Sequence, residues 1–313
     1  MTLVLLSFWL ITAILILWEK RIARLIIHLG IFSLLAAVAY MTMGSPDVAM
    51  AEAAASIFAV IFFIICFEKY FSFTDSQIGS QIVKEKIASL RFLVPIVCTI
   101  LIAVLFIYFR PDAVDNVHLR DRFLESFHVD VGGYNAVTAI YLGYRVYDTL
   151  FEALIVVLVV IAAMHLSAFS ENAKVPEQHS EMENSKMAAY AIRIICPIML
   201  LFGIYLMFNG HITPGGGFQG GLAIASFFIC RYMIYDANDL PIRKLNRMEE
   251  IVFVGITLFA ISIVFLGAAA YLPDNIRHVF QVGYMLVMNA LIGLKVACGF
   301  IILFYRYIVI EQR

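Results

Sequence analysis

Long apolar windows separated by short polar joints set the pattern of this chain. A helix crossing about 30 Å of hydrocarbon at 1.5 Å per residue needs roughly 20 apolar residues. Windows of that length lie near residues 2–18, 25–43, 47–67, 92–109, 149–167, 187–208, 219–235, 250–271 and 281–305. The runs are unbroken, whereas a membrane barrel would give short alternating segments. The expected fold is therefore all-α, a polytopic membrane protein with about nine transmembrane helices. Polar interruptions at 68–91 and 169–186 group the spans as 3+2+4. They predict a three-helix segment over 1–68, a two-helix segment with cytoplasmic and outer loops over 69–168, a cytoplasmic linker over 169–186 and a four-helix domain over 187–313. The first interruption has room for an amphipathic helix over 78–90.

Orientation follows from the placement of Lys and Arg in the joints, because cytoplasmic loops carry the excess. With the N-terminus outside, the inner segments hold fifteen such residues, including Lys20, Arg21, Lys84, Arg243 and Arg306, while the outer ones hold only Arg110, Arg120, Arg122 and Arg277. That bias predicts an outer N-terminus and a cytoplasmic C-terminus. The first helix lacks a basic leader and is followed by "EKRIAR", the reverse of a cleavable signal, so it is expected to remain in the mature protein.

Composition agrees. Hydrophobic residues make up 63% of the chain and charged ones 14%, against roughly 45–50% apolar in soluble domains. A net charge of -1 without long runs of one sign leaves no basic face, which excludes nucleic acid as a partner. The five cysteines fall singly in apolar segments, without CxxC pairs, so no disulfide framework, metal or cofactor ligand set is expected.

A charge near the bilayer centre costs about 2.5–3.5 kcal/mol on insertion scales, so each one needs a reason. Glu52 lies in "GSPDVAMAEAAASIF", with Asp47 at the outer end and alanines that let a neighbouring helix approach. It suits either a place on an ion path or a carboxylate that pairs helices. In "NAVTAIYLGYRVYDTLFEALIVVLVV", Arg145, Asp148 and Glu152 fall on one face of a continuous helix, with Tyr141 a turn earlier. An internal Arg145–Asp148 pair would leave Glu152 free to exchange a proton; alternatively, the pair marks the membrane boundary. Lys295, near the middle of the last span, is too deep to snorkel and requires a partner or the loss of its proton. Asn289 adds a polar group nearly two turns earlier. Arg193 and His28, near cytoplasmic ends, read as anchors.

The glycine-rich run "GHITPGGGFQGG" spans 210–221 at the outer turn between the sixth and seventh spans. It follows no strand and lacks the Lys and Ser/Thr of a phosphate loop. Gly215, Gly216, Gly217, Gly220 and Gly221 permit positive φ and close backbone contact, and Pro214 starts a turn back into the membrane. Irregular backbone at that depth must be buried in protein or line a wet cavity. A tight interface is the expected reason, with an ion-coordinating break as the alternative.

These motifs carry a resemblance. "GHITPGGGFQGGL" followed by "NALIGLKVACGF" resembles the B subunit of Mrp-type multisubunit sodium/proton antiporters. "GSPDVAMAEAAA" is similar to the carboxyl-terminal end of the large Mrp A subunit, also found as a small subunit in membrane-bound hydrogenases and sulfur reductases. "NAVTAIYLGYRVYDTLFEALIV" is similar to a further A-subunit segment, except that Gly143 replaces an acidic residue and Val146 and Phe151 replace glycines. The resemblance implies a cell-membrane transport subunit of a prokaryote without cofactor or catalytic site. Its partners would be other Mrp-type subunits, redox subunits of a hydrogenase-type complex, lipid, Na+ and H+. It also implies that Asp47, Glu52, Asp148, Glu152 and Lys295 occupy positions of family interest; together with Arg145 they are the candidate ion or proton path. The loop bearing His211, Pro214, Gly215, Gly216, Gly217, Gly220 and Gly221 would be its signature or a subunit interface.

Overall fold

The computed structural model describes residues 2–71, 117–166, 186–234, 242–268 and 273–309, with scattered helical positions between 97 and 108. The expected amphipathic helix over 78–90 and all but the last residue of the 169–186 linker lie outside the described residues, as does most of the 92–109 span. Among the described residues all regular structure is helical. The elements are α1 (Thr2–Trp18), α2 (Ile22–Thr42), α3 (Pro46–Phe71), α4 (Val117–Asp130), α5 (Ala136–Ala139, continued by a π turn Ile140–Tyr144), α6 (Val146–Leu166), α7 (Lys186–Asn209), α8 (Gly217–Ile234), α9 (Ile242–Ala268) and α10 (Asp274–Val309).

Five of these helices have the length and composition to cross a membrane: Ile22–Thr42, Pro46–Phe67, Val146–His165, Ala189–Asn209 and Ile276–Arg306; the shorter Val4–Trp18 is also apolar. The chain is an all-α, multi-pass membrane protein. Its helices show apolar side chains on both sides, as Ile198, Leu201 and Ile204 on α7 illustrate, because lipid rather than water meets the outer faces.

α10 is the axis of the bundle, packed against α8, α9, α6 and α3, while α8 also contacts α7 and α3. Leu222, Ala225 and Ile229 of α8, Ile256 and Ala260 of α9, and Met285, Met288, Ile292 and Val296 of α10 form the buried core. Small residues set the spacing. A Cβ built on Gly217 would lie 2.5 Å from the Asn289 carbonyl oxygen, and one on Gly221 would lie 2.5 Å from that of Gly293. The α8 and α10 backbones are therefore in contact over a full turn, which replaces side-chain packing with direct backbone dispersion contacts.

α4 falls in what the sequence suggested was an outer loop. It packs beside the start of α10, where Gln281 Nε2 donates to the carbonyl oxygens of Val129 (3.1 Å) and Asp130 (2.7 Å). At the opposite joint, between α1 and α2, the Glu19 carboxylate accepts the backbone N–H groups of Arg21 and Lys20 at 3.0 Å and lies 3.8 Å from Arg24. The Arg21 hydrogen bond is the main cause holding its pKa below the ordinary carboxylate value.

Candidate functional site

Two polar centres sit on α10, one formed by the glycine turn and one by Lys295. The turn arises because α7 ends at Asn209 and α8 cannot begin before Gly217. Gly215 and Gly216 occupy φ values of 149° and 157°, a region that disfavours any Cβ. The turn meets α10 at Asn289, fifteen residues or about 22 Å from the start of that helix, so it is recessed beside α10 and enclosed by protein. His211 and Gly215 to Gly217 are buried, while Pro214 is exposed.

Four separate stretches of chain converge there. Asn135 caps α5, its Oδ1 accepting the N–H groups of Val137 (2.9 Å) and Thr138 (3.4 Å). Its Nδ2 donates to Asp47 Oδ1 (2.8 Å) and lies within reach of the carbonyl oxygens of Thr213 (3.1 Å) and Gly210 (3.2 Å). Asp47 Oδ1 also accepts the Gly215 N–H at 3.2 Å. Thr138 Oγ1 donates to the Gly210 oxygen at 2.6 Å, and the His211 oxygen accepts from the N–H groups of Tyr134 and Asn135. On the α10 side, Asn289 Oδ1 accepts from the Tyr141 hydroxyl (2.9 Å) and the Gly217 N–H (3.1 Å). The glycines therefore make their close contacts within this chain, and Asp47 serves as an acceptor for the turn.

The second centre is a buried ion pair. Lys295 Nζ donates to Glu249 Oε1 at 2.5 Å, with the two side chains 0% and 2% exposed, and the ammonium lies 5.4 Å from the Phe253 ring centroid. Glu249, on α9, is the partner that Lys295 requires. Sequence reasoning missed it because it falls at the edge of an apolar window, beside Arg247 and Glu250, where a charge needs no explanation. Gln281, Asn289, Lys295 and Arg306 are all buried, and at 100° per residue they fall within an arc of about 120° on α10.

Arg145, Asp148 and Glu152 share one face as expected, but the helix is not continuous and Tyr141 falls out of that stripe. Residues 140–144 make a π turn, with the Arg145 N–H donating to Ile140 O at 2.8 Å and Arg145 itself leaving helical geometry at φ -122°. Thr149 Oγ1 satisfies the freed Tyr141 carbonyl at 2.6 Å. The inserted residue turns Tyr141 inward to Asn289 and leaves Arg145, Asp148 and Glu152 on the outer face of the chain. Arg145 and Asp148 do pair at 2.5 Å, but 67% and 50% exposed. At Gly143 a Cβ would meet Val131 at 2.8 Å, so the acidic side chain expected from the resemblance has no room. Glu52 is half-buried and accepts a hydrogen bond from Ser33 of α2. Among the described residues there is no group of three or more side chains able to hold a metal.

The likeness of this chain to known proteins is specific. Residues 187–302 match a family model described as a domain related to the MnhB subunit of Na+/H+ antiporter, and residues 7–70 match that of the D subunit of MBH. Over the longer of these stretches the chain is B-like, that is, similar to the B subunit of Mrp-type antiporters. A protein of Methanocaldococcus jannaschii is 27% identical over 53% of the B-like chain and 73% of its own length. The putative antiporter subunit mnhB2 of Staphylococcus epidermidis is 41% identical over 18% of the chain and 41% of its own length. The B-like chain thus spans about two fifths of that relative. It shares the fold of a chain in the Mrp complex from Dietzia sp. (TM-score 0.68, 18% identity, 99% of this chain and 35% of that one). It also shares the fold of a chain in an archaeal respiratory complex, the membrane-bound sulfane sulfur reductase (TM-score 0.56, 24% identity, 71% of this chain and 100% of that one). The B-like chain is a membrane protein whose parts are similar to subunits of Mrp antiporters and whose fold is shared with chains of the Mrp complex and of a membrane-bound respiratory complex.

Proposed function

We propose that the B-like chain carries part of the Na+ or H+ route of an Mrp-type cation/proton antiporter module and helps to assemble it. It would cross the inner membrane of a prokaryotic cell nine times, N-terminus outside and C-terminus in the cytoplasm, contacting lipid and other antiporter or redox subunits. The units over 1–68, 69–168 and 187–313 act as its three parts. The observation that carries this reading is the buried polar row on α10, centred on the Lys295–Glu249 pair. Such groups are expensive in a membrane interior and mark conduction paths there. A proton or cation that reaches the pair exchanges with the charge already held, and water between successive members completes the steps, which are too long for direct transfer. Glu52 and Glu152 extend the route toward neighbouring helices. The resident groups hold and move charge; no bond of a substrate is broken by the chain itself.

Asp47 favours a different role, since it accepts hydrogen bonds from the Asn135 amide and a backbone N–H of the turn. It acts with Asn135 in assembly, and the exposed Arg145–Asp148 pair marks the membrane boundary. The test is Na+-dependent proton transport by the whole complex in inverted membrane vesicles, with variants Glu249→Gln, Glu52→Gln and Glu152→Gln. Loss of transport from complexes that still co-purify intact supports the route. Full transport in all three refutes it. Loss of assembly at every site would leave the chain a connector, with translocation elsewhere.

A further inference from the structure

Two histidines stand outside both polar centres, where the end of α4 reaches α10. α4 stops at Asp130, and Gly132, at φ 86°, turns the chain back across the last turn of that helix. The return fixes the His128 ring on two sides. The Gly133 carbonyl oxygen lies 3.2 Å from Nδ1, and the Tyr134 ring flanks the imidazole with centroids 4.7 Å apart. A carbonyl oxygen only accepts, so Nδ1 carries the proton and the neutral ring keeps its lone pair on Nε2. A backbone carbonyl orients metal-ligating imidazoles in the same way. α10 supplies a second ring. His278, Gln281 and Met285 fall at i, i+3 and i+7 on one face of that helix, and this face receives the turn. A Cβ on Gly132 would lie 2.7 Å from the Gln281 Cβ, and one on Gly133 would lie 2.6 Å from the Met285 Cε. His278 accordingly meets His128, with ring centroids 5.9 Å apart and planes inclined at 70°. Both histidines are exposed, so a hydrated ion reaches them directly.

We propose that His128 and His278 form a two-histidine site for a divalent cation of the Zn2+ class, which clamps the end of α4 to the start of α10. Imidazole nitrogens suit Zn2+, Cu2+ and Ni2+, whereas Mg2+ and Ca2+ take oxygen ligands. Two imidazoles that share one ion at nitrogen–metal distances of about 2.0–2.1 Å set their ring centres roughly 5–6 Å apart. The observed separation lies in that range, so the rings need only rotate about χ2 to aim a nitrogen of each at the ion. Water fills the remaining coordination positions, since among the described residues no set of three or more His, Cys, Asp or Glu side chains is placed to hold a metal. The neighbouring charges are mixed. Arg277 is directed at the Val129 carbonyl oxygen (3.2 Å), and the Asp130 carboxylate, two residues from His128, accepts from the Tyr144 hydroxyl (2.8 Å). The ion would add a coordinate link to the hydrogen bonds by which Gln281 and Arg277 already hold the end of α4.

The experiment uses the whole purified complex, stripped of metal with a chelator and then dialysed against zinc chloride or magnesium chloride. Bound metal is measured by inductively coupled plasma mass spectrometry, and amide hydrogen exchange is followed over residues 117–130. The parent is compared with His128→Ala, His278→Ala and the double variant, whose metal-free exchange should match the parent because each change removes an exposed ring. Each single variant should hold one Zn2+ fewer per copy of this chain than the parent, and the double variant no fewer than either single one. Zinc should slow exchange in α4 of the parent alone, and magnesium should do so in none of them. Equal zinc content in the parent and both single variants overturns the proposal. Loss in only one of them means that one ring holds the ion unaided, and the shared site falls. Loss in both without slower exchange in α4 removes the clamp and overturns the proposal as stated.

Discussion

Replacing Glu249 probes the buried pair most directly. Glu249→Leu removes the carboxylate 2.5 Å from an ammonium that has no exposed surface. The Phe253 ring at 5.4 Å supplies about 1–2 kcal/mol of cation–π attraction at a desolvated site, which does not replace an anion. Breaking one side of a buried pair costs about 3–5 kcal/mol, because the remaining charge is stranded. Glu249→Gln retains an oxygen that accepts from Nζ, so it should fall near ~3 kcal/mol, and Glu249→Leu near ~5 kcal/mol. The double variant Glu249→Leu/Lys295→Met removes both charges and should recover to within about 1–2 kcal/mol of the parent, because two well-packed apolar groups replace an ion pair at little net cost. The assay is reversible unfolding of the purified chain in mixed detergent micelles, titrated with dodecyl sulfate and followed by circular dichroism. A double variant no more stable than the worse single one would refute the reasoning, since it would show that the two groups do not balance each other.

The glycine contacts predict a graded series read by melting in detergent. Gly217→Ala and Gly221→Ala place a Cβ 2.5 Å from an α10 carbonyl oxygen and should each cost about 3 kcal/mol or more. Gly283→Ala, which meets nothing within 4 Å, should be neutral or stabilising by up to about 1 kcal/mol. Asn135→Ala removes the cap of α5 and the amide shared by Asp47 and the turn; a loss of about 2–4 kcal/mol is expected, measured by the same melt, with Asp47→Asn milder than Asp47→Ala. Arg145→Ala, at an exposed pair, should change chain stability by less than about 1 kcal/mol, and a larger loss in the same assay would mean that the pair is far less solvated than its 67% and 50% exposures indicate.

Sequence periodicity reported the helices well because lipid imposes it: α2, α3 and α7 begin and end within a few residues of the apolar windows. It failed where the backbone departs from 3.6 residues per turn. Nothing in "IYLGYR" announces a π turn, and one inserted residue was enough to separate Tyr141 from Arg145. α4 was invisible for the opposite reason, since a short polar helix beside the start of α10 has no long apolar window. Lys295 was identifiable as needing a partner because its depth makes charge costly, whereas Glu249 and Asn135 sit at segment edges where polarity is ordinary. Their roles depend on which distant segment arrives opposite them. The glycines revealed a close approach, but not that α10 of the same chain makes it.

The joint around Asn135 has a genetic consequence. It ties together residue 47, residues 134–141, the turn at 210–217 and residue 289, one or more from each of the three units marked out by the polar interruptions. Hydrogen bonds at this joint, together with the packing of α8 and α10 against α3 and α6, hold these stretches to one another. An open reading frame interrupted within 169–186, or a fusion of formerly separate frames there, would deliver the same assembled surface. Selection at these positions accordingly acts on a joint that crosses such a break, so that Asp47, Asn135 and Tyr141 on one side should vary together with the turn at 210–217 and Asn289 on the other.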